Sequence, residues 1–180
     1  AVPTKAGYVH AGYTKEQKAT ANTGPADWSS ASGKTSYTPT GTGVDDKSAW
    51  NSTVYATWTP TIVKITAYKN GEVVAGREIK LINGGTTLSA TTGADGVATF
   101  NAVPVLTGSG KYAIHDAKGD TGLTVNASAG TTVDSTKLYY YDVVFEALTP
   151  ATDHGQYGAD NATPATQEVL VNGGGTVGAT

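Results

Sequence analysis

Ile62-Val63-Lys64-Ile65-Thr66-Ala67-Tyr68, followed by Lys69-Asn70-Gly71-Glu72, is the stretch that decides the fold. Apolar residues alternate with Thr and Lys, the period-two signature of a half-buried strand. Asn70-Gly71 then supplies two neighbouring residues that tolerate positive φ, which favours a tight turn and an antiparallel return. Upstream, Val54-Tyr55-Ala56-Thr57-Trp58 carries a similar texture. Downstream, Arg77 to Ile82 reads as a strand ending at Asn83-Gly84-Gly85, and Thr86 to Thr92 as another running into Gly93-Ala94-Asp95-Gly96.

Val97 to Phe100, Lys111 to His115 and Gly122 to Val125 continue the series, and Leu138 to Leu148 is the longest apolar run and a core strand. Pro104 has no amide hydrogen for a ladder, so Val103-Pro104-Val105 is not a central strand. Turn signals recur about every ten residues, the spacing of an antiparallel sandwich rather than of βαβ units. The prediction is an all-β, Ig-like antiparallel β-sandwich over residues 52–148, flanked by a loop-rich N-terminal extension (1–51) and a C-terminal arm (149–180). A short helix is expected over Thr14 to Ala21, capped by Thr14.

Composition removes several function classes. The 180 residues include 23 Gly and 10 Tyr against 2 Phe, with no Cys and no Met. Without Cys there is no disulfide framework, thiolate nucleophile or Cys-ligated metal site. A net charge of -3 leaves no basic footprint for nucleic acid. No run approaches the roughly 18 apolar residues of a membrane-spanning helix. The start at Ala1 is read as the product of processing, through a removed signal peptide or loss of an initiator Met. The Thr-, Ser-, Gly- and Asn-rich surface points to an extracellular location, with a virion as the alternative.

The segment Val63 to Val125 resembles bacterial surface β-sandwich modules of the invasin-type Ig-like and collagen-adhesin B-type (Cna-B) families. The residues that carry this are Asn70-Gly71-Glu72-Val73-Val74-Ala75-Gly76, then Thr91-Thr92-Gly93-Ala94-Asp95-Gly96-Val97-Ala98-Thr99-Phe100, then Gly110-Lys111-Tyr112-Ala113-Ile114. The resemblance implies a seven-stranded sandwich serving as a spacer, stalk or pilus building block. It also implies a candidate internal isopeptide bond, with Asp116 at the place of the buried acid and Asp142 as the partner. Lys64 is the nearest lysine but is offset by two from the family's position, and Lys69 falls in the turn. A buried Lys must lose its proton before it attacks, so the missing register counts against the bond.

Other candidate chemistry reads more plainly. His10, His115 and His154 are far apart and lack a third ligand or a nucleophile motif, which makes them surface or turn residues. Asp45-Asp46 and the segment from Asp153 to Asp160 lack the Ca²⁺-loop pattern, and Gly173-Gly174-Gly175 lacks the Lys and helix of a phosphate loop. Asn51, Asn126 and Asn161 head N-glycosylation sequons that are expected by chance in so Ser- and Thr-rich a chain. Tyr139 and Tyr141 fall on one strand face and Tyr140 on the other, with core packing and hydroxyls at the rim as the expectation.

No catalytic residue, metal or cofactor is assigned. The expectation is a structural subunit of an extracellular filament or pilus-like fibre, a homopolymer of identical subunits joined by strand addition. Val169, Leu170 and Val171 in the C-terminal arm and Val2, Tyr8 and Val9 in the N-terminal one are the candidate connectors. Alternatively, both arms pair with their own sheet or stay disordered. Two other readings are a phage or virion surface protein, and a module binding glycans or host proteins through Trp28, Trp50, Trp58 or the Tyr row.

Overall fold

The structure, a computed structural model, describes residues 3–14, 23, 28–29, 55–145, 148–150, 157–159 and 165–171. Val2, Trp50, Asn51, His154, Asn161, Asp45-Asp46, Asp153, Asp160 and Gly173 to Gly175 lie outside these residues. So does the expected helix, except for Thr14, which ends a strand.

The described residues form fourteen strands and no helix. These are β1 (Tyr8–Thr14), β2 (Trp28–Ser29), β3 (Tyr55–Pro60), β4 (Ile62–Lys69), β5 (Glu72–Val73), β6 (Glu78–Asn83) and β7 (Thr86–Thr91). They continue as β8 (Val97–Phe100), β9 (Tyr112–Asp116), β10 (Gly119–Val125), β11 (Thr132–Phe145), β12 (Leu148–Pro150), β13 (Tyr157–Ala159) and β14 (Ala165–Leu170). Residues 101–111, around Pro104, hold no strand.

The chain divides into two compact units. The first comprises Ala1–Lys64, Thr99–Tyr112 and Thr124–Asp134, and holds the sheet β2-β1-β3. Strand β1 runs antiparallel to β3, with His10 opposite Trp58 and Gly12 opposite Thr57, and a bulge between His10 and Gly12. Thr61 ties this unit together: its amide donates to Gly7 O (2.8 Å), its carbonyl accepts from Val103 N–H (3.0 Å), and its hydroxyl oxygen accepts from Gly130 N–H (2.9 Å). Val63, Phe100, Val103, Tyr112 and Val125 are its buried apolar residues, and the Tyr112 hydroxyl donates to Pro104 O at 2.8 Å.

The second unit comprises Ile65–Ala98, Ala113–Leu123 and Ser135–Thr180. Its two larger sheets are ordered β10-β9-β6-β7 and β14-β11-β4-β5, with β8 also paired to β4, and β12-β13 is a separate two-stranded sheet. Alternation fixes which side chains turn inward. Ile65 and Ala67 on β4 and Leu138 and Tyr140 on β11 are at most 1 % exposed, as are Ile79 and Leu81 on β6 and Ile114 on β9. Burial of each large side chain contributes about 1.5–3 kcal/mol, which is what holds the two layers of the β-sandwich together.

Turn chemistry follows the sequence. Asn70 and Gly71 take φ of 52° and 90°, the pair of positive values a type I′ hairpin requires, and β5 returns along β4. The β6–β7 hairpin turns at Gly84-Gly85, with Asn83 opposite Thr86. Ile62 N–H donates to Thr131 O and Asn70 N–H to Tyr140 O, so β4 and β11 run parallel, a departure from the purely antiparallel expectation.

Both connector candidates are paired within their own chain. Tyr8 and Val9 lie on β1, against β3, which groups the N-terminal strand with residues beyond position 51. Val169 and Leu170 lie on β14, against Tyr141 and Tyr140 of β11, and Val171 N–H donates to Tyr139 O at 2.7 Å. Strand β14 is thus the edge of the second unit's larger sheet.

Candidate functional site

Within the second unit, charged residues gather where the inward-facing rows of several strands run out. Lys69 follows Ile65 and Ala67 at two-residue steps on β4, Asp142 follows Leu138 and Tyr140 on β11, and Asp116 follows Ile114 on β9. Arg77 precedes Ile79 and Leu81 at the entry to β6, and Glu168 on β14 joins them through its register opposite Asp142, although the buried residues at that end of the strand are Val169 and Val171. A side chain one step beyond the last core residue on the same face projects toward the rim of the sandwich.

Glu168 is the centre of this cluster. Arg77 grips its carboxylate through two hydrogen bonds, Nη1 to Oε1 at 3.0 Å and Nη2 to Oε2 at 2.8 Å. Lys69 Nζ lies 3.2 Å from Oε2, and Lys118 Nζ lies 3.9 Å from Oε1 while also donating to the Glu168 backbone carbonyl. Lys69 bridges onward to Asp142 Oδ1 at 3.0 Å. Asn70 completes that corner, donating from Nδ2 to Asp142 Oδ2 (3.0 Å) and accepting the Asp142 amide (2.9 Å).

Tyr140 is the floor. Its ring lies 3.6 Å beneath the Arg77 guanidinium, a cation–π contact, and its hydroxyl donates to Asp116 Oδ2 at 2.9 Å. The other Asp116 oxygen accepts Lys118 N–H at 2.7 Å. Thr92 positions Arg77 from behind, accepting the Arg77 amide on its hydroxyl and donating its own amide to the Arg77 carbonyl, both at 2.9 Å. Three cations thereby meet three carboxylates, and Arg77 and Glu168, both well shielded from water, share the bidentate pair.

The protonation states follow from these contacts. The Arg77 hydrogen bonds hold Glu168 below its ordinary 4.5 against the opposing effect of burial, with Lys69 adding to the shift. Lys69 and Asn70 lower Asp142 below 3.8, and Asp142 and Glu168 together raise Lys69 above 10.5. Burial, then the Asp116 hydrogen bond, pushes the Tyr140 phenol far up. Each of these groups is held in the protonation state its structural bonds require.

The isopeptide candidates are placed as follows. Asp116 and Asp142 both enter the cluster, with Tyr140 and Lys69 as their respective partners, whereas Lys64 belongs to the first unit. Lys69, read from sequence as a turn residue, is the last residue of β4 and is the lysine beside Asp142. That pair is a third exposed, and the raised Lys69 pKa keeps the amine charged and non-nucleophilic.

Elsewhere the expectations divide. His10 is a strand residue, not a turn residue: its ring meets Tyr13 and Trp58 edge-on at 4.7 and 5.6 Å, and its buried nitrogens have no partner among the described residues. The bulge at His10 rests on β1 lying against β3, which the sequence reading left open. His115 sits on β9 opposite Lys80. Tyr140 is the core tyrosine with its hydroxyl at the rim, while Tyr139 stacks on Tyr68 at 5.2 Å and Tyr141 is 42 % exposed on the outer face. Asn126 is exposed directly after β10. Among the described residues no group of three His, Asp or Glu side chains is arranged to hold a metal, and no helix is long and apolar enough to cross a membrane.

No protein-family model matches the chain. No curated protein matches it. Among solved structures it is similar to the Bacillus anthracis TIE protein, at 15% identity and a TM-score of 0.34, over 66% of this chain. The chain spans 28% of the length of that protein, and a likeness at this level bears on neither fold nor function.

Proposed function

We propose that the chain is a structural subunit of an extracellular filament or pilus-like fibre, and that its mechanism is packing rather than catalysis. The observation that carries this reading is the edge strand β14. It joins the sandwich by a backbone ladder to β11 and by the charge cluster on Glu168. The same ladder made by the β14 of a neighbouring copy is strand addition, in which main-chain hydrogen bonds supply adhesion and alternate side chains fill pockets. Repeated head to tail, such a contact generates an open polymer.

The cluster supports a structural role in a second way. Its carboxylates and cations are committed to one another, and the raised Lys69 and lowered Glu168 leave neither group poised near neutral pH for acid–base chemistry. Negative-stain electron microscopy and light scattering on the purified full chain across a concentration series test the reading. Filaments or a ladder of oligomers are expected. A strict monomer at every concentration overturns it.

A further inference from the structure

We infer that Glu168 is the key residue of an exchangeable joint: the cup formed by Lys69, Arg77 and Lys118 accepts the β14 strand of a second copy of this chain, with Glu168 setting register and partner. This rests on the filament reading and names the strand and the residues that would make its contact.

The first ground is charge. Without Glu168 the cluster holds three cations and two carboxylates, Asp116 and Asp142, so the edge of β11 beside it is left with an uncompensated positive charge around Arg77. Glu168 is the only acidic residue between Ala165 and Val171, and its carboxylate fits the guanidinium fork bidentately. An incoming strand without an acid at that place leaves the cup unpaired, which disfavours wrong partners as well as favouring the right one.

The second ground is register. In the observed pairing Glu168 stands opposite Asp142 and Leu170 opposite Tyr140. A slip of one residue would turn Glu168 to the outer face, and a slip of two would present Thr166 or Leu170 to the cup. A backbone ladder alone does not read sequence, so the cup supplies the selection. The β1–β3 ladder shows no comparable charged key among the described residues.

The third ground is the connection. Antiparallel neighbours can be joined by two residues, yet residues 146–164 separate β11 from β14, including the β12–β13 hairpin. That hairpin sets Leu148 beside Ala159, so the seven residues outside it, 146–147 and 160–164, set the reach of the strand, roughly 25 Å when extended.

The test uses two full-length variants. Glu168→Arg keeps an intact cup but spoils its own strand, and Arg77→Glu keeps an intact strand but spoils its own cup. Mixed 1:1 after unfolding and refolding together, they are expected to form a heterodimer with one copy of each, at least tenfold more abundant by native mass spectrometry than any dimer of either variant alone. The strand and cup left over, an arginine facing a glutamate, are complementary in reverse, so the same two copies exchange both strands and close the dimer, and growth stops there. Separate monomers only, with no mixed species, overturn the inference. Should the reversals prevent folding, Glu168→Gln mixed with Arg77→Gln gives the same readout in milder form. Wild-type filaments that persist unchanged in Glu168→Arg would sink the key and leave the filament reading standing, whereas a wild-type chain that never assembles would sink the filament reading itself.

Discussion

Arg77 and Glu168, 91 residues apart in sequence, meet through paired hydrogen bonds of 3.0 and 2.8 Å while the guanidinium rests on the Tyr140 ring. The arrangement ties the edge strand β14 to the opposite sheet through side chains, independently of the ladder it makes with β11. Their exposures of 14% and 19% place the pair between the surface regime, where an ion pair contributes little, and the buried regime, where removal of one partner is severe.

A double-mutant cycle over Arg77→Ala and Glu168→Ala is therefore expected to give a coupling energy of about 2 kcal/mol, read from urea unfolding. Arg77→Lys should recover less than half of it, since a point charge cannot reproduce the fork. A coupling near zero would show that the strand is held by its ladder alone.

The pH dependence has a defined sign at each end. Glu168 and Asp142 have folded-state values below 4.5 and 3.8, so the unfolded chain binds protons first on acidification. Their stabilisation is present above those ordinary values and is lost as pH falls through the depressed folded ones. Lys69 behaves oppositely: its contribution is complete below 10.5 and is lost as pH rises through the raised folded value. Denaturant midpoints measured from roughly pH 2 to pH 7 should fall less steeply in Glu168→Gln than in the parent chain. Parallel acid limbs would contradict the assignment.

Tyr140 combines a buried ring with one hydrogen bond, and the two parts separate by mutation. Tyr140→Phe keeps the surface under Arg77 and loses only the bond to Asp116, for an expected cost of about 1 kcal/mol. Tyr140→Ala also opens a cavity in the core and is expected to cost about 3–5 kcal/mol. Ultraviolet titration offers a second check: the Tyr140 phenol should resist ionisation in the native protein and titrate only when alkali unfolds it.

Much of this was legible in sequence, and the rest fails for a physical reason. The alternation of Ile62 to Tyr68 and the Asn70-Gly71 turn are local signals, and β4, its turn and β5 follow them. The cluster is not local: Lys69, Arg77, Asp116, Asp142 and Glu168 are brought together only by strand order, which alternation does not specify. A usable signal was nevertheless present. Lys69, Arg77, Asp116 and Asp142 each lie two positions from a buried apolar residue, in a chain only 15% charged, which marks those inward rows as ending in charge, whereas Glu168 lies next to the buried Val169 and carries no such mark. Where the terminal strands pair is likewise a tertiary fact, and Tyr8, Val9 and Val169 to Val171 alternate equally well for a ladder in their own chain or in another.

The turn glycines provide a graded test of how tightly the second unit is built. Gly71 and Gly96 both have positive φ, 90° and 73°, so alanine at either place carries backbone strain of about 1 kcal/mol. At Gly71 the added methyl meets nothing within 4 Å, and the cost should end there. At Gly96 it would sit 2.7 Å from Val73 Cβ and 2.9 Å from the Ala67 carbonyl oxygen, closer than real methyl groups approach. That carbonyl already accepts the Val74 amide, and the Gly96 carbonyl accepts from Ala67 N–H, so relief of the clash requires movement of the β4–β8 pairing itself. Gly96→Ala should therefore lower stability by at least about 2 kcal/mol more than Gly71→Ala, measured as the difference in unfolding free energy. Equal losses at the two positions would mean that β8 is not seated against β4 as described.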